Sequence, residues 1–178
     1  IGLMDNFSNS SGLAALARRE LADLDIDIFG GLIMEPPAGG VSAETVKAAL
    51  AYGYSDTDGA RFISLPTHHT KNIALQEGRD KPYVETCLEI PETGERPDAL
   101  PEVLDRSAAH DVVLNTGHIS GPEACRLTGL AVGRGVAKVL VPASHYGAAE
   151  GRQITEAGAF AEFSFFFSSH ATQLGLTH

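Results

Sequence analysis

The sequence predicts an α/β fold built on five parallel strands. Three observations carry this. Short runs rich in Ile, Leu, Val and Phe recur along the chain, as in strands buried on both faces. Segments with helical spacing separate most of them, and strand–helix alternation implies a parallel sheet with right-handed crossovers. Gly is abundant, at 19 of 178 residues, as expected where strands turn tightly into helices. The length suits one domain with its own core, so residues 1–178 read as a single unit.

Each element has a local reason. Ser10 or Ser11 is placed to cap a first helix. In it Leu13, Leu16, Ala17, Leu21 and Leu24 follow helical spacing and should form the buried face, leaving Arg18, Arg19 and Glu20 to solvent. Asp25 to Met34 reads as a buried strand stopped by Pro36 and Pro37. Ser42 caps a second helix, Ala43 to Tyr52, with Gly53 where a C-terminal stop belongs. Ala60 to Leu65 is the next strand and runs into the polar loop Pro66–Asn72. Residues 73–98 break the pattern and read as an insertion, with Tyr83 to Ile90 as one arm of a hairpin around Glu92-Thr93-Gly94. Pro101 opens another helix, followed by the strand Asp111 to Thr116. Gly121-Pro122-Glu123 starts a helix that Gly133 and Gly135 end. The strand Ala137 to Val141, a weaker helix over Ala148 to Ala157, and the strand Ala159 to Phe166 complete the order.

Charge narrows the partners. Thirteen basic against 23 acidic side chains give a formal charge of −10. Phosphate backbones and anionic membranes are bound by clustered Lys and Arg, so neither nucleic acid nor a membrane is expected. No apolar run reaches the ~20 residues that span a bilayer, and Ile1 to Ser10 lack a signal-peptide pattern. Cys87 and Cys125 are the only cysteines and form no CxxC pair, so reduced thiols in the cytoplasm are expected.

Polar groups gather just past the apolar runs, where parallel α/β proteins build their sites. His68, His69, His118 and His145 all follow strands. In a parallel sheet those ends share one face, and imidazole there is a good ligand for a divalent transition metal. Consecutive side chains diverge on an extended chain, so one of His68 and His69 is expected to point inward. Glu162, in the last strand, offers an oxygen ligand or a general base, and His170 is a further candidate. A strand-end His also serves as a helix cap or surface group, and that reading stands beside the catalytic one. His110 precedes its strand and belongs to the opposite, structural rim. The Gly39–Ser42 turn opens a helix and could hold an anion or simply be a tight turn. There is no GxGxxG, Walker loop or GxSxG elbow. The phenylalanines at 160, 163 and 165–167 read as packing.

With these residues placed, the chain resembles the amidohydrolase superfamily, specifically a branch of metal-dependent TIM-barrel hydrolases. The likeness spans roughly residues 12–166. It is carried by Leu65-Pro66-Thr67, Val113-Leu114-Asn115-Thr116-Gly117-His118-Ile119-Ser120, Val139-Leu140-Val141-Pro142-Ala143-Ser144-His145 and Gly158-Ala159-Phe160-Ala161-Glu162. The resemblance implies a TIM-barrel-like fold with the five strands as barrel strands two to six. Members open on an HxH strand and end the last strand with an Asp ligand. No HxH occurs here and no eighth strand is visible, so the chain is expected to be a partial barrel or a fragment lacking the first and last strands.

The resemblance implies a hydrolase in which a divalent metal, zinc before manganese or iron, activates water. His118, His145 and His170 are the expected ligands, with Glu162 assisting catalysis. His68, His69, Lys71 and Ser42 are expected to meet a small polar substrate, Lys71 through an anionic group on it. A homo-oligomer is expected. Two alternatives remain: a metal-free barrel lyase or isomerase using His118 as acid/base, and a non-catalytic degenerate barrel acting as a scaffold.

Overall fold

The computed structural model describes residues 1–53, 58–93, 97–142 and 146–162. In chain order the elements are α1 (Ser11–Glu20), β1 (Gly31–Ile33), a 3-10 turn (Pro36–Ala38), α2 (Ala43–Leu50), β2 (Phe62–Ser64), α3 (Lys71–Gln76), α4 (Lys81–Thr86), α5 (Leu100–Ala109), β3 (Val113–Asn115), α6 (Gly121–Gly133), β4 (Val139–Val141), α7 (Ala148–Glu156) and β5 (Phe160–Ala161). The five strands form one parallel sheet in the order β1-β2-β3-β4-β5. The α/β class and the five parallel strands are thus those the alternation predicts. Neighbours in sequence are neighbours in the sheet, so the winding never reverses, and α2, α5, α6 and α7 all bury residues in one core with the strands. Among the described residues no helix is long and apolar enough to cross a membrane.

Side chains alternate across a sheet with period two. The paired row Leu32–Ile63–Leu114–Val139 therefore shares a face. That row, with Met34, Leu65 and Val141, packs with Val46, Leu104, Leu127 and Ile154 of the helices into the main core. The opposite row is mixed: Ile33, Ser64 and Asn115 are buried, Leu140 is half-buried, and Phe160 is 63% exposed. Phe160 therefore does not pack as the aromatic run suggests; residues 163 and 165–167 lie outside the described residues.

The strands are shorter than their apolar runs. From Asp25 to Asp27 the chain is exposed, Ile26 included, because the alternating Asp residues keep it in water. Pairing begins at Phe29, in a parallel bridge with Gly2.

The expected buried face of α1 is also corrected. Leu13, Leu16, Leu21 and Leu24 are exposed, while Ser11 and Ala14 are buried. The reason is a backbone-to-backbone approach: a Cβ on Gly30 would lie 2.5 Å from the Ser10 carbonyl oxygen and 2.7 Å from the Ser11 Cα. Only the small-residue side of the helix fits so close, which turns the leucines outward. Ser10 stands at the cap position, but its hydroxyl donates to the Leu3 carbonyl (2.6 Å) and accepts from the Gly31 N–H (3.0 Å). Arg18, expected in solvent, is half-buried and donates to the Ile28 carbonyl (2.6 Å) and Asp58 (3.2 Å).

Residues 73–98 hold helices where a hairpin arm was expected. Thr70 caps α3 by accepting from the Ile73 N–H (3.3 Å), and Asp80 caps α4 by accepting from the Tyr83 N–H (3.0 Å). Pro82 suits the first turn of α4. These caps outweigh the weak alternation of the apolar residues. The excursion returns as a parallel bridge of Leu88 with Thr70. Then α6 grips Ile90: the Glu123 carboxylate accepts its N–H (2.8 Å), and the Arg126 guanidinium donates to its carbonyl (2.7 and 3.1 Å). Glu123 also accepts from the Ser120 N–H (2.8 Å) at the start of α6. Glu123→Ala strands both donors and is expected to cost about 2 kcal/mol, read as a lower midpoint in urea unfolding. Cys87 and Cys125 are free, half-buried thiols, both pushed up in pKa by burial.

Candidate active site

Three consecutive strands end at one place. β1 runs out into Met34-Glu35-Pro36, β2 into Leu65–His69, and β3 into Thr116-Gly117-His118. The link between the first two is Glu35, a carboxylate only 3% exposed. Its Oε1 accepts the N–H groups of Thr67 and His68 (both 2.6 Å) and the Thr67 hydroxyl (2.9 Å); its Oε2 accepts the His69 N–H (3.1 Å). Burial alone would raise its pKa. The hydrogen bonds from His68, Thr67 and His69 outweigh that and lower it, so the group is ionised. Asn6 reaches the same spot, its side-chain oxygen 3.2 Å from the Thr67 hydroxyl.

The link between the second and third strands is made by backbone. The His118 N–H donates to the Pro66 carbonyl (3.1 Å), and the His118 carbonyl accepts from Thr70 Oγ1 (2.9 Å) and Asn72 Nδ2 (3.1 Å). Gly117 takes φ +66°, and a Cβ there would sit 2.2 Å from the Pro66 carbonyl oxygen. Its N–H is held by Asn115 Oδ1 at 2.8 Å. The strand-end Gly is therefore what lets the two turns meet.

The His118 ring is half-buried just past the end of β3. Burial lowers its pKa and the nearby His68 lowers it further, while the Thr67 carbonyl and Glu35 pull the other way. The net shift is down, so the ring is a neutral imidazole at neutral pH. A neutral imidazole that donates at one nitrogen is an acceptor at the other, the form needed by a metal ligand or a general base.

The adjacent histidines diverge, although the chain at residues 67–69 is a bend rather than extended. His68 stays by the site, its Nδ1 3.0 Å from the Thr67 hydroxyl and 3.5 Å from Glu35 Oε1. His69 turns away, edge-on to Tyr83 with ring centres 5.4 Å apart and its Nε2 3.1 Å from Thr86 Oγ1. A cleft of about 500 Å³ opens beside it, lined by Met34, Val41, Pro66, His69, Leu88 and Glu89 among others. That is within the size range of small-molecule sites.

Of the remaining candidates, Lys71, Ser42 and Glu162 each come after a strand. Lys71 pairs with Glu89 at 2.7 Å. Ser42 caps α2, accepting the Thr45 N–H at 3.4 Å. Glu162 follows β5 and is half-buried, its N–H on the Val141 carbonyl (2.9 Å) and its own carbonyl accepting the Tyr146 hydroxyl (2.9 Å). His145 and His170 lie outside the described residues. His110 caps the C-terminus of α5, exposed and before β3, as its sequence position implies. Among the described residues no group of three His, Cys, Asp or Glu side chains is placed to hold a metal ion.

Sequence reading missed Glu35. The signal was present, since Glu35 follows the apolar run of β1 as His118 follows that of β3, but it was hidden between Met34 and two prolines read only as a stop. A family model described as "Family of unknown function (DUF6282)" matches residues 1–162. No curated protein and no solved structure matches the chain.

Proposed function

The chain belongs to the DUF6282 family, and from its own site we propose that it is a metal-dependent hydrolase of the amidohydrolase type acting on a small polar substrate. The scaffold we propose is TIM-barrel-like. Its support is the unreversed strand order, which is the winding of a (β/α)₈ barrel and gathers the strand C-termini at one mouth.

The observation that carries the function is the place of His118, half-buried just past β3 beside the loop that Glu35 holds, where burial lowers its pKa. The donor chemistry thus fits zinc, manganese or iron. His118 would hold the ion, with His145 and His170 as further ligands. When bound, such an ion supplies Lewis acidity and makes water a nucleophile near neutral pH. His68 meets the substrate at the mouth and Glu162 takes a proton. Lys71 exchanges Glu89 for an anionic group on the substrate, and His69 and Ser42 flank it.

Elemental analysis of the purified protein tests this. About one zinc, manganese or iron per chain is expected, lost in His118→Ala, with hydrolysis of a panel of small esters and cyclic amides falling at least about 100-fold. Protein that stays metal-free when offered zinc overturns it. The same neutral ring would then favour the second reading, a metal-free lyase or isomerase with His118 as acid/base.

A further inference from the structure

We infer that His68 is a hydrogen-bond acceptor at the mouth of the site, with Nδ1 committed to Thr67 and a bare Nε2 left for the ligand, and that the group it receives is an N–H or O–H of the substrate. The assignment comes from counting protons around one hydroxyl. Thr67 Oγ1 lies 2.9 Å from Glu35 Oε1, 3.0 Å from His68 Nδ1 and 3.2 Å from Asn6 Oδ1. A hydroxyl has one proton to give and two lone pairs to fill.

Glu35 takes that proton. It is the nearest of the three and it is charged, and a charged acceptor binds a hydroxyl proton more strongly than a neutral amide oxygen does. Both residues are buried, Glu35 3% and Thr67 7% exposed. Turning the hydroxyl proton elsewhere would set oxygen lone pairs against each other in a buried place, where an unmet polar contact costs most. His68 Nδ1 then faces a lone pair of Thr67, so it has to be the nitrogen that carries the proton. The second lone pair suits the Asn6 amide nitrogen, which a half-turn of the amide exchanges for Oδ1. In a neutral imidazole with Nδ1 protonated, Nε2 is an acceptor. His68 Nε2 has no partner among the described residues, and the side chain is 61% exposed. Hydrogen bonds in series polarise one another, so the carboxylate at the far end strengthens Nε2 as an acceptor. Such an atom repels carboxylates and carbonyl oxygens and attracts amide N–H or hydroxyl groups. The small polar substrate proposed above thus gains a required feature, a hydrogen-bond donor. That half rests on the proposed function; the tautomer does not.

The test uses the full chain, ¹⁵N-labelled and stripped of metal by chelation, with long-range ring ¹H–¹⁵N spectra at about pH 8, above the ordinary imidazole range. His68 is expected in the Nδ1–H form. Its tautomer ratio should lie at least about fivefold further towards that form than in the urea-unfolded chain, the equivalent of one net hydrogen bond. In Thr67→Val, which removes the hydroxyl, the ratio should fall back to the unfolded value. A wild-type His68 in the Nε2–H form, or at the unfolded ratio, overturns the proposal, as does an unchanged ratio in folded Thr67→Val. Should that variant fail to fold, the wild-type ratio decides. The ligand half is read from the His68 Nε2 resonance on adding 2-pyrrolidinone, which carries an N–H, and N-methyl-2-pyrrolidinone, which does not. Only the first should shift it; an equal response to both, or none to either, overturns the donor assignment. Neither readout needs metal or turnover, so a protein that stays metal-free would refute the hydrolase reading and leave the tautomer of His68 standing.

Discussion

Gly117→Ala is expected to destabilise the protein by about 3–5 kcal/mol, the largest effect of any methyl-sized change near the site. Two costs add. At φ +66° an L-residue sits in the left-handed region, at about 1–2 kcal/mol. The new Cβ would also lie 2.2 Å from the Pro66 carbonyl oxygen and 2.6 Å from that of Leu65. Both contacts are backbone, and backbone in a strand end has no rotamer with which to move aside. Gly135→Ala separates the two terms. Gly135 takes φ +86° and a Cβ there meets nothing within 4 Å, so only the conformational part, about 1–2 kcal/mol, is expected. Urea unfolding of both variants measures the difference. Equal losses would mean that the approach of the β2 and β3 turns is not tight.

Glu35→Ala comes next, at about 3–5 kcal/mol, because it leaves three buried backbone N–H groups and the Thr67 hydroxyl without their acceptor. The loss should depend on pH. The Glu35 pKa is lowered in the folded protein from an ordinary value of 4.5. The unfolded chain therefore binds the proton more readily, and stability rises with pH across this window. The contribution is fully present above about 4.5 and is lost as pH falls through the depressed folded value. His118 acts in a higher window. Its folded pKa lies below the ordinary 6.5, so stability is lost as pH falls from there through the folded value. Unfolding midpoints measured from pH 3 to 8 should show both steps in the wild-type protein. The lower step should be smaller in Glu35→Ala; a step of unchanged size would mean that other carboxylates produce it.

The parts of the fold that were legible in the sequence are those set by local pattern. Helical spacing with a cap or a terminal Gly placed α2, α5 and α6, and apolar runs placed every strand. Failures came where close tertiary contact overrode the pattern. The leucines of α1 obey helical spacing, but Gly30 dictates which side of the helix touches the sheet. The alternation from Tyr83 to Ile90 yields to caps at Thr70 and Asp80. At the site, His118 was legible because it stands alone after a strand. Glu35 follows a strand in the same way, but its partners are main-chain N–H groups of residues 67–69, which a sequence does not single out. Lys71, read as open to substrate, has Glu89 as its partner across the excursion that contains α3 and α4.

The unreversed strand order also governs how this site can come into being. Each new strand joins the one made just before it, and the longest closure is that between β2 and β3, which spans α3, α4 and α5. Glu35, Thr67 and His118 belong to three successive units. Their contacts therefore require that long closure, but neither β4 nor β5.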